Sequence, residues 1–498
     1  MAKYNNTEID LSTFKKSINK MIATSEGSYN SNVSFRKGMR FNSYNKDEIV
    51  DIINEGASDE LREASLFYLY TSGFYRRFLI YYATLLKYVY LVIPHMLKDQ
   101  KIEESGNLKN YNNAVDFIHK LNVKMLSKHI AIRVLAEGSY YGVLREFPDG
   151  ELAVQDLPAN FCRTRFKNQE DIDVVEFKLT YFDTIKEKSV RDEVLKGFPK
   201  EIRLAYNRFK NRAGDMWAML EPGTGIHFNL VDERPFFSSV LPAIIDFSEY
   251  REIEKEKDKQ ELKNLLVQKL PIEDGELVFD PEEAEEIHRG SVNMLKNNVY
   301  MDVLTTFADV KLENMESNRS VVTNNLEKIG DSIYSEAGVS KEIFAAEGNT
   351  ALTTSIKNDT ALMMLLMEQI SNWLQYLLKI RFGNNHMSFR VAALPISYYN
   401  EQEMRTDALS LAQSGYSFLI PMMTFDLEQS DLVDLKNLEI NALQLNKVMI
   451  PLATSFTTSG GDPTKETPEN INEKPDDKKS DKTVQNINAE SWGGTNEY

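Results

Sequence analysis

Residues 317–382 of this 498-residue chain read SNRSVVTNNLEKIGDSIYSEAGVSKEIFAAEGNTALTTSIKNDTALMMLLMEQISNWLQYLLKIRF. Apolar residues recur at one-helix-face spacing in its first part, at Val322, Leu326, Ile329 and Ile333. The same period returns later, at Leu352, Ile356, Met363, Met367, Ile370, Leu374 and Leu377. Gly338 and the pair Gly383-Asn384 are typical helix ends. The stretch therefore predicts two helices, and the apolar breadth of the second predicts burial on several sides.

The connection between these two helices is predicted to be irregular. Ser340 precedes one short helical turn that ends near Ala346. Glu347-Gly348-Asn349-Thr350 then predicts a loop, because Gly and Asn tolerate positive φ and Thr can cap a following helix.

A third helix is predicted before this stretch, over residues 245–270. Between Glu249 and Glu261, ten of thirteen residues are charged, so this part has no apolar face. Such a helix either crosses solvent between domains or lines a hydrated channel. A compact insert follows, with strands predicted at Glu276–Phe279, Val299–Leu304 and Phe307–Leu312. Its helix has a capping box, with Asp280 as N-cap, Pro281 at N1 and Glu283 at N3.

The region before residue 244 alternates between helical and strand patterns. The predicted helices are Glu48–Lys98, Ala114–Glu137, closed by Gly138, and Asp192–Arg212. The predicted strands are Val143–Phe147 and Glu151–Gln155 around Pro148-Asp149-Gly150, then Phe161–Phe166, Val174–Phe182, Met216–Leu220 and Ile226–Val231. After the opening stretch, a strand is predicted at Met387–Ala392 and helices around Gln402–Gln413, Leu432–Leu435 and Ile440–Met449.

This order of elements resembles the portal (connector) proteins of tailed bacteriophages, over roughly residues 55–450. The most specific sequence motifs of the resemblance are Gly338-Val339-Ser340 with Phe344, and Leu157-Pro158-Ala159 with Phe161-Cys162-Arg163. The resemblance implies an α+β, mostly helical, ring-forming fold with wing, stem, clip and crown regions. Its parts would be an irregular N-terminal arm (1–48), an α+β wing (49–244), stem helix 1 (245–270), a clip (271–316), stem helix 2 (317–338), a tunnel loop region (339–352), a long helix with the returning wing strand (353–395), a crown-like helical region (396–454) and a disordered tail (455–498).

The resemblance also implies a function and its partners. The chain would form a ring of twelve copies at one capsid vertex, through which double-stranded DNA passes without sequence specificity during packaging and ejection. The other partners would be the terminase large subunit, head-completion or adaptor proteins, and the major capsid and scaffold proteins. Assembly would occur in the host cytoplasm and the mature location would be the virion. No membrane and no cofactor are implied.

Three groups of residues are assigned roles by this resemblance. The tunnel loop facing DNA would contain Glu347, Gly348, Asn349, Thr350, Ala351 and Leu352. The stem lysines that could meet DNA phosphates are Lys255, Lys257, Lys259 and Lys263, although solvated ion pairing is the more ordinary role for them. The docking surface of the clip would contain Glu276, Asp280, Glu282, Glu283 and Glu286.

The net charge and the cysteine count also limit the classes of function that the chain can have. The net charge is −17, from 58 basic and 75 acidic residues. Such a surface repels polyanions, which argues against tight non-specific DNA binding and suits a channel in which DNA slides. The single cysteine, Cys162, excludes a disulfide framework and predicts folding in a reducing compartment. The N-terminal residues contain no apolar core typical of a secretory signal.

Catalytic signatures are missing from the sequence. No Gly-Lys dipeptide occurs, so a Walker A loop is excluded, and neither H-E-x-x-H nor G-x-S-x-G is present. The six histidines are far apart, and no enzyme activity is predicted. One alternative is a metal-dependent nucleic-acid enzyme that uses the acidic residues of 274–286. The other is a membrane-associated protein anchored by the aromatic-rich residues 66–97, although Arg76, Arg77 and Lys87 interrupt that run.

Overall fold

The computed structural model describes residues 44–97, 101–104, 106–262, 264–273, 276–278, 280–295, 301–306, 319–345 and 350–445. The fold is mixed α+β and mostly helical, as predicted. The chain divides into two compact units, with the boundary in the sequence between Leu432 and Val433. The predicted arm (1–43 of it) and tail (455–498) lie outside the described residues, and the wing, stem, clip and crown remain predicted regions.

Three helices and a strand open the described chain. They are α1 Lys46–Glu55, α2 Ser58–Thr71, α3 Gly73–Leu85 and β1 Val89–Met96. The Asn45 side chain caps α1, so a helix begins inside the predicted irregular arm. The continuous helical prediction to Lys98 is wrong, because Tyr88 has a φ of 55° and the apolar run after it is a strand. A short apolar run fits either state until its pairing partner is known.

Two helices replace the one predicted at Ala114–Glu137. These are α4 Asn107–Lys120 and α5 Val123–Glu137, separated by Asn122 with a φ of 48°. Asn tolerates this left-handed conformation, which breaks the helix without a change in hydrophobic pattern. Gly138 ends α5 as predicted, with a φ of 82°.

Six strands form two small antiparallel sheets in the next region. The strands are β2 Ser139–Glu146, β3 Leu152–Asp156, β4 Cys162–Lys167, β5 Asp173–Lys178, β6 Trp217–Met219 and β7 Gly225–Asn229. The sheet orders are β3-β2-β7 and β4-β5-β6. The predicted hairpin at Pro148-Asp149-Gly150 is confirmed, with a φ of 83° at Gly150.

Between β5 and β6 lie three helices, α6 Tyr181–Thr184, α7 Lys188–Lys196 and α8 Lys200–Lys210. The strand predicted at Val174–Phe182 therefore ends early, at Lys178. The helix predicted at Asp192–Arg212 is two helices, since Pro199 lies at the break and Pro starts α-helices more readily than it continues them. These elements share a second hydrophobic core, which includes Val175, Phe177, Phe182 and Ile202.

The charged helix, α9, covers Leu241–Leu262. It starts four residues earlier than predicted, because Pro242 is tolerated in a first turn. It ends eight residues earlier, since 264–269 form a strand. The insert that follows contains β8 Asn264–Lys269, β9 Ile272–Glu273, β10 Glu276–Leu277, α10 Pro281–Leu295 and β11 Met301–Thr306. Strands β8 and β11 pair in parallel, with α10 between them in the chain. The strand predicted at Phe307–Leu312 lies outside the described residues.

The opening stretch forms the helices that its periodicity predicts. They are α11 Arg319–Ala337, the short α12 Glu342–Ala345 and the long α13 Thr350–Phe382, and β12 Met387–Leu394 follows. Gly338 has a φ of 66° at the end of α11. Helix α13 passes through the main core, where its buried residues include Met363, Leu366, Met367, Ile370 and Leu374. Strand β12 pairs antiparallel with β1, from Val89↔Leu394 to Met96↔Met387.

The remaining elements of the first unit are α14 Glu401–Gln413, α15 Leu419–Met423 and the start of α16 Gln429–Asn437. The helices predicted at Gln402–Gln413 and Leu432–Leu435 are confirmed. In the second unit, α16 ends and passes into a π-helical turn, Leu438–Ala442. The helix predicted at Ile440–Met449 thus overlaps this turn, and its residues after 445 lie outside the described residues.

Candidate functional site

A cluster of packed aromatic side chains, here called the aromatic base, precedes the predicted tunnel loop and contains Phe78, Tyr81, Tyr334 and Phe344. Val339, which follows Gly338, is buried in the main core. Phe344 of α12 contacts Phe78 and Tyr81 of α3, with ring centroids 5.9 and 5.8 Å apart. The Tyr334 ring of α11 lies 5.8 Å from the same phenylalanine. Aromatic rings at these separations prefer edge-on or offset contacts, which fix the exit of α11 against α3.

A cation also contributes to this aromatic base. The Arg77 guanidinium lies 4.9 Å from the centroid of the Phe344 ring. A guanidinium over an aromatic face is attracted by the ring quadrupole, by about 0.5–1 kcal/mol at an exposed site. Lys341, at the start of the connection, forms an ion pair of 2.7 Å with Asp331 of α11. Both contacts hold the chain in place directly before the segment 346–349.

Asp359 anchors the helix on the other side of the loop. The residue is only 6% exposed, and its carboxylate accepts hydrogen bonds from the hydroxyls of Tyr81 (2.9 Å) and Tyr82 (2.8 Å). Burial raises the pKa of Asp359, and the two tyrosine hydrogen bonds oppose that change. Burial, and then the nearby carboxylate charge, raise the pKa of both tyrosines. Helix α3 therefore contacts the chain on both sides of the predicted tunnel loop, at Phe344 and at Asp359.

The sequence prediction missed Asp359, although a signal was present. Leu352, Ile356, Asp359 and Met363 lie at offsets 0, +4, +7 and +11, so the aspartate is on the apolar face of α13. A charged residue on a buried face needs a partner. The partner could not be identified from the sequence, because α3 lies far away in the chain.

Part of the predicted tunnel loop is helical. Thr350, Ala351 and Leu352 belong to the first turn of α13, so the loop predicted at 347–350 does not extend to Thr350. Leu352 packs against the main core, so the helix extends back past it. Glu347, Gly348 and Asn349 lie outside the described residues.

The predicted stem lysines are described in part. Lys255 is exposed on α9, in the stretch without an apolar face. Lys257 and Lys259 also belong to α9, but their side chains lie outside the description, as does the whole of Lys263.

The predicted clip surface is acidic and exposed. Asp280, Glu282, Glu283 and Glu286 are exposed at the start of α10. The Asp280 backbone N–H donates to Glu283 Oε2 at 3.2 Å, which is the return bond of the predicted capping box. Glu276 lies in β10, and its side chain is outside the description. These carboxylates face solvent together rather than converging on one point.

Two observations bear on the alternative functions. Among the described residues, no group of three or more His, Cys, Asp or Glu side chains is arranged to hold a metal ion. Across the same residues, no helix has the length and apolar character needed to cross a membrane. The aromatic run of 66–97 is largely core: Tyr75, Phe78, Tyr81, Tyr82, Tyr88 and Tyr90 are buried within the chain.

Most tyrosines of this run are covered by their own chain, so they are not available for contacts between subunits. Tyr70, which is 71% exposed, remains available for such a contact. Cys162 begins a strand as predicted and is half-buried, and burial raises the pKa of its thiol well above the usual value. A thiol of this kind is a poor nucleophile.

No protein-family model matches the chain, and no curated protein matches it.

Proposed function

We propose that this chain is a portal protein of a tailed bacteriophage. Copies of it form a ring-shaped DNA channel at one capsid vertex, for genome packaging, docking of the motor and of head-completion proteins, and DNA ejection. The observation that carries the proposal is the path of the chain from α9 through the insert and α11 to α13.

The first support is the pairing of α9 with α11. The 3₁₀ turn Ser238–Val240, which leads into α9, contacts α11. Phe74 contacts both Phe247, near the start of α9, and Tyr334, near the end of α11. The chain therefore leaves along one helix and returns along the other. A small parallel βα unit is inserted between them, as in a stem that carries a clip.

The second support is the connection after α11. A portal needs a loop that enters the channel and is held from behind, so that DNA does not push it aside. Here the aromatic base and Asp359 fasten both ends of the segment 346–349 to the rigid helix α3. Each copy in a ring would thus present one firmly anchored loop to the bore.

The third support is electrostatic. A net charge of −17 per copy makes the walls of a ring repel phosphate, so DNA is guided without being bound. The exposed carboxylates at the start of α10 offer a distinct acidic surface for a motor or adaptor protein. The chain acts passively in this proposal, and the work is done by the docked motor.

Electron microscopy of the purified chain tests the proposal. We expect discrete annular particles whose two-dimensional class averages have rotational symmetry, with twelve-fold symmetry as the first expectation. Sedimentation should give one large species rather than a broad distribution, which separates a closed ring from aggregation. Particles that remain monomeric at every protein and salt concentration would overturn the proposal.

A further inference from the structure

His227 has an unusual environment, where the two small sheets meet. It lies on β7, and its Nδ1 is 2.7 Å from Asp173 Oδ2 on β5. Its side chain is only 5% exposed, and the Tyr141 ring packs over it with centroids 4.5 Å apart. Among the described residues, its Nε2 is buried without any hydrogen-bond partner. A buried polar atom without a partner is costly, which indicates that something binds there.

The group that faces Nε2 is a carboxylate. Glu233 Oε1 lies 3.8 Å from it, too far for a direct hydrogen bond. The same carboxylate accepts from the Tyr141 hydroxyl at 3.0 Å and meets Arg62 at 3.4 Å. A polar cavity of about 410 Å³ borders His227, Glu233 and Asp173. Lys167, whose Nζ is 3.9 Å from Asp173 Oδ1, lines it as well.

We propose that His227 Nε2 and Glu233 bind one divalent transition-metal ion of the zinc type, with water from the cavity completing its coordination. Tetrahedral Zn–N and Zn–O bonds of about 2.1 Å place the two ligand atoms about 3.4 Å apart, so the 3.8 Å separation closes with a side-chain shift of about 0.4 Å. The Asp173 carboxylate holds the Nδ1 proton of the imidazole, which leaves the Nε2 lone pair for the metal. Metal-ligating histidines commonly have such a carboxylate partner.

This site differs from the acidic stretch 274–286 and is independent of the proposed ring. It has two protein ligands, fewer than the three or more of a catalytic or structural cluster, so exchangeable binding is expected. The ion joins a ligand of the sheet β3-β2-β7 to the loop that precedes α9. The Asp173 hydrogen bond extends this connection to the sheet β4-β5-β6.

Zinc binding by the full-length chain, purified without a histidine tag and stripped with EDTA, tests the proposal. Equilibrium dialysis should give one Zn²⁺ per chain, and Zn²⁺ should raise the midpoint of thermal unfolding. His227→Ala and Glu233→Gln should each weaken binding at least tenfold. Asp173→Asn should weaken it by about 10–100-fold, as second-layer changes do.

His129→Gln is the matched control. His129 also pairs with an aspartate, Asp156 at 2.7 Å, but its side chain is 47% exposed. The control should bind Zn²⁺ as the wild type does. Circular dichroism checks that each variant folds, and Glu233→Gln replaces His227→Ala if the latter does not. No stoichiometric binding to the wild type, or equal binding by His227→Ala and Glu233→Gln, would overturn the site. Equal loss in His129→Gln would overturn it too.

Discussion

The Tyr82 hydroxyl donates a 2.8 Å hydrogen bond to Asp359, although the two residues are 277 positions apart in the chain. Tyr81 donates to the other carboxylate oxygen at 2.9 Å. These bonds fix helix α13 to helix α3 within three turns of the segment proposed to enter the channel. The position of that segment in each copy therefore depends on a buried polar contact between distant parts of the chain.

Replacement of Asp359 should destabilise the fold. Asp359→Ala leaves two buried tyrosine hydroxyls without their acceptor, and each unsatisfied group costs about 1–3 kcal/mol. The urea midpoint of unfolding should fall accordingly. Tyr70→Phe removes a hydroxyl from a tyrosine that is 71% exposed, and it should leave the midpoint unchanged. An Asp359→Ala midpoint equal to that of the control would contradict the anchoring role.

The same carboxyl predicts a pH dependence. Burial raises the pKa of Asp359 above its unfolded value, so the folded state holds this proton more tightly than the unfolded state. Its contribution to stability is therefore greatest at low pH and is lost as the pH rises through the folded-state pKa. Asp359→Asn keeps the shape and cannot titrate.

We measure the free energy of unfolding of both proteins by urea titration at several pH values upwards from about 4, near the usual pKa of an aspartate. The free energy of unfolding of the wild type should fall relative to that of Asp359→Asn as the pH rises. A constant difference over this range, or a relative gain in wild-type stability, would contradict the assignment.

How far the sequence determines this fold depends on the range of each contact. Helices α11 and α13 and their glycine ends follow from local periodicity and were predicted. Strands β1 and β8 were predicted as helix, because each is defined by a partner that lies far away in sequence. Strand β1 pairs with β12, about 300 residues later. Local pattern alone cannot choose between strand and helix for such short apolar runs.

The candidate sites show the same division. The capping box at Asp280 and Glu283 is local and was predicted in detail. The six histidines are too far apart in sequence to indicate a metal cluster, whereas His227 lies close to both Asp173 and Glu233 in the folded chain. Charged residues on apolar faces, such as Asp359, were the one available signal of a long-range contact.

Gly138 should resist substitution for a geometric reason. Its φ is 82°, and a Cβ placed there would lie 2.4 Å from the backbone carbonyl of Glu233. Gly138→Ala therefore forces both backbone strain and a displacement of the loop 232–235, with a loss of at least about 1–3 kcal/mol. Gly290→Ala is the control, since Gly290 is inside α10 with open space around it.

In that control, alanine should stabilise the helix by up to about 1 kcal/mol. Thermal unfolding of the two variants should thus shift in opposite directions from the wild type. A Gly138→Ala protein as stable as the wild type would contradict the close approach of the two backbones.

The ion pair between His119 and Glu428 predicts stability that depends on the histidine proton. The hydrogen bond to Glu428, 2.9 Å from Nδ1, raises the pKa of His119. Its contribution is fully present below the ordinary histidine pKa of about 6.5 and is lost as the pH rises through the raised value. Glu428→Gln should reduce this pH dependence relative to the wild type when unfolding is followed between about pH 5.5 and 9, since Asp431 and Asp116 still raise the pKa of His119. Equal pH profiles would contradict the pair.

The proposed docking role of α10 predicts a selective loss of partner binding. Glu282→Gln, Glu283→Gln and Glu286→Gln, combined, remove three exposed charges without a loss of size. We expect weaker binding of the terminase large subunit of the same phage in sedimentation or pull-down assays, and a smaller dependence of that binding on salt. Ring formation should persist, because these residues are exposed and belong to the insert.

The matched control removes the same number of charges elsewhere, with Asp192→Asn, Glu193→Gln and Glu201→Gln on the exposed faces of α7 and α8. It should bind the terminase subunit as the wild type does, because its charge change is equal and only its location differs. If both triple variants lose binding equally, net charge rather than the α10 surface governs the interaction. If neither loses binding, the motor docks elsewhere, and the assignment of the clip fails while the ring itself can stand.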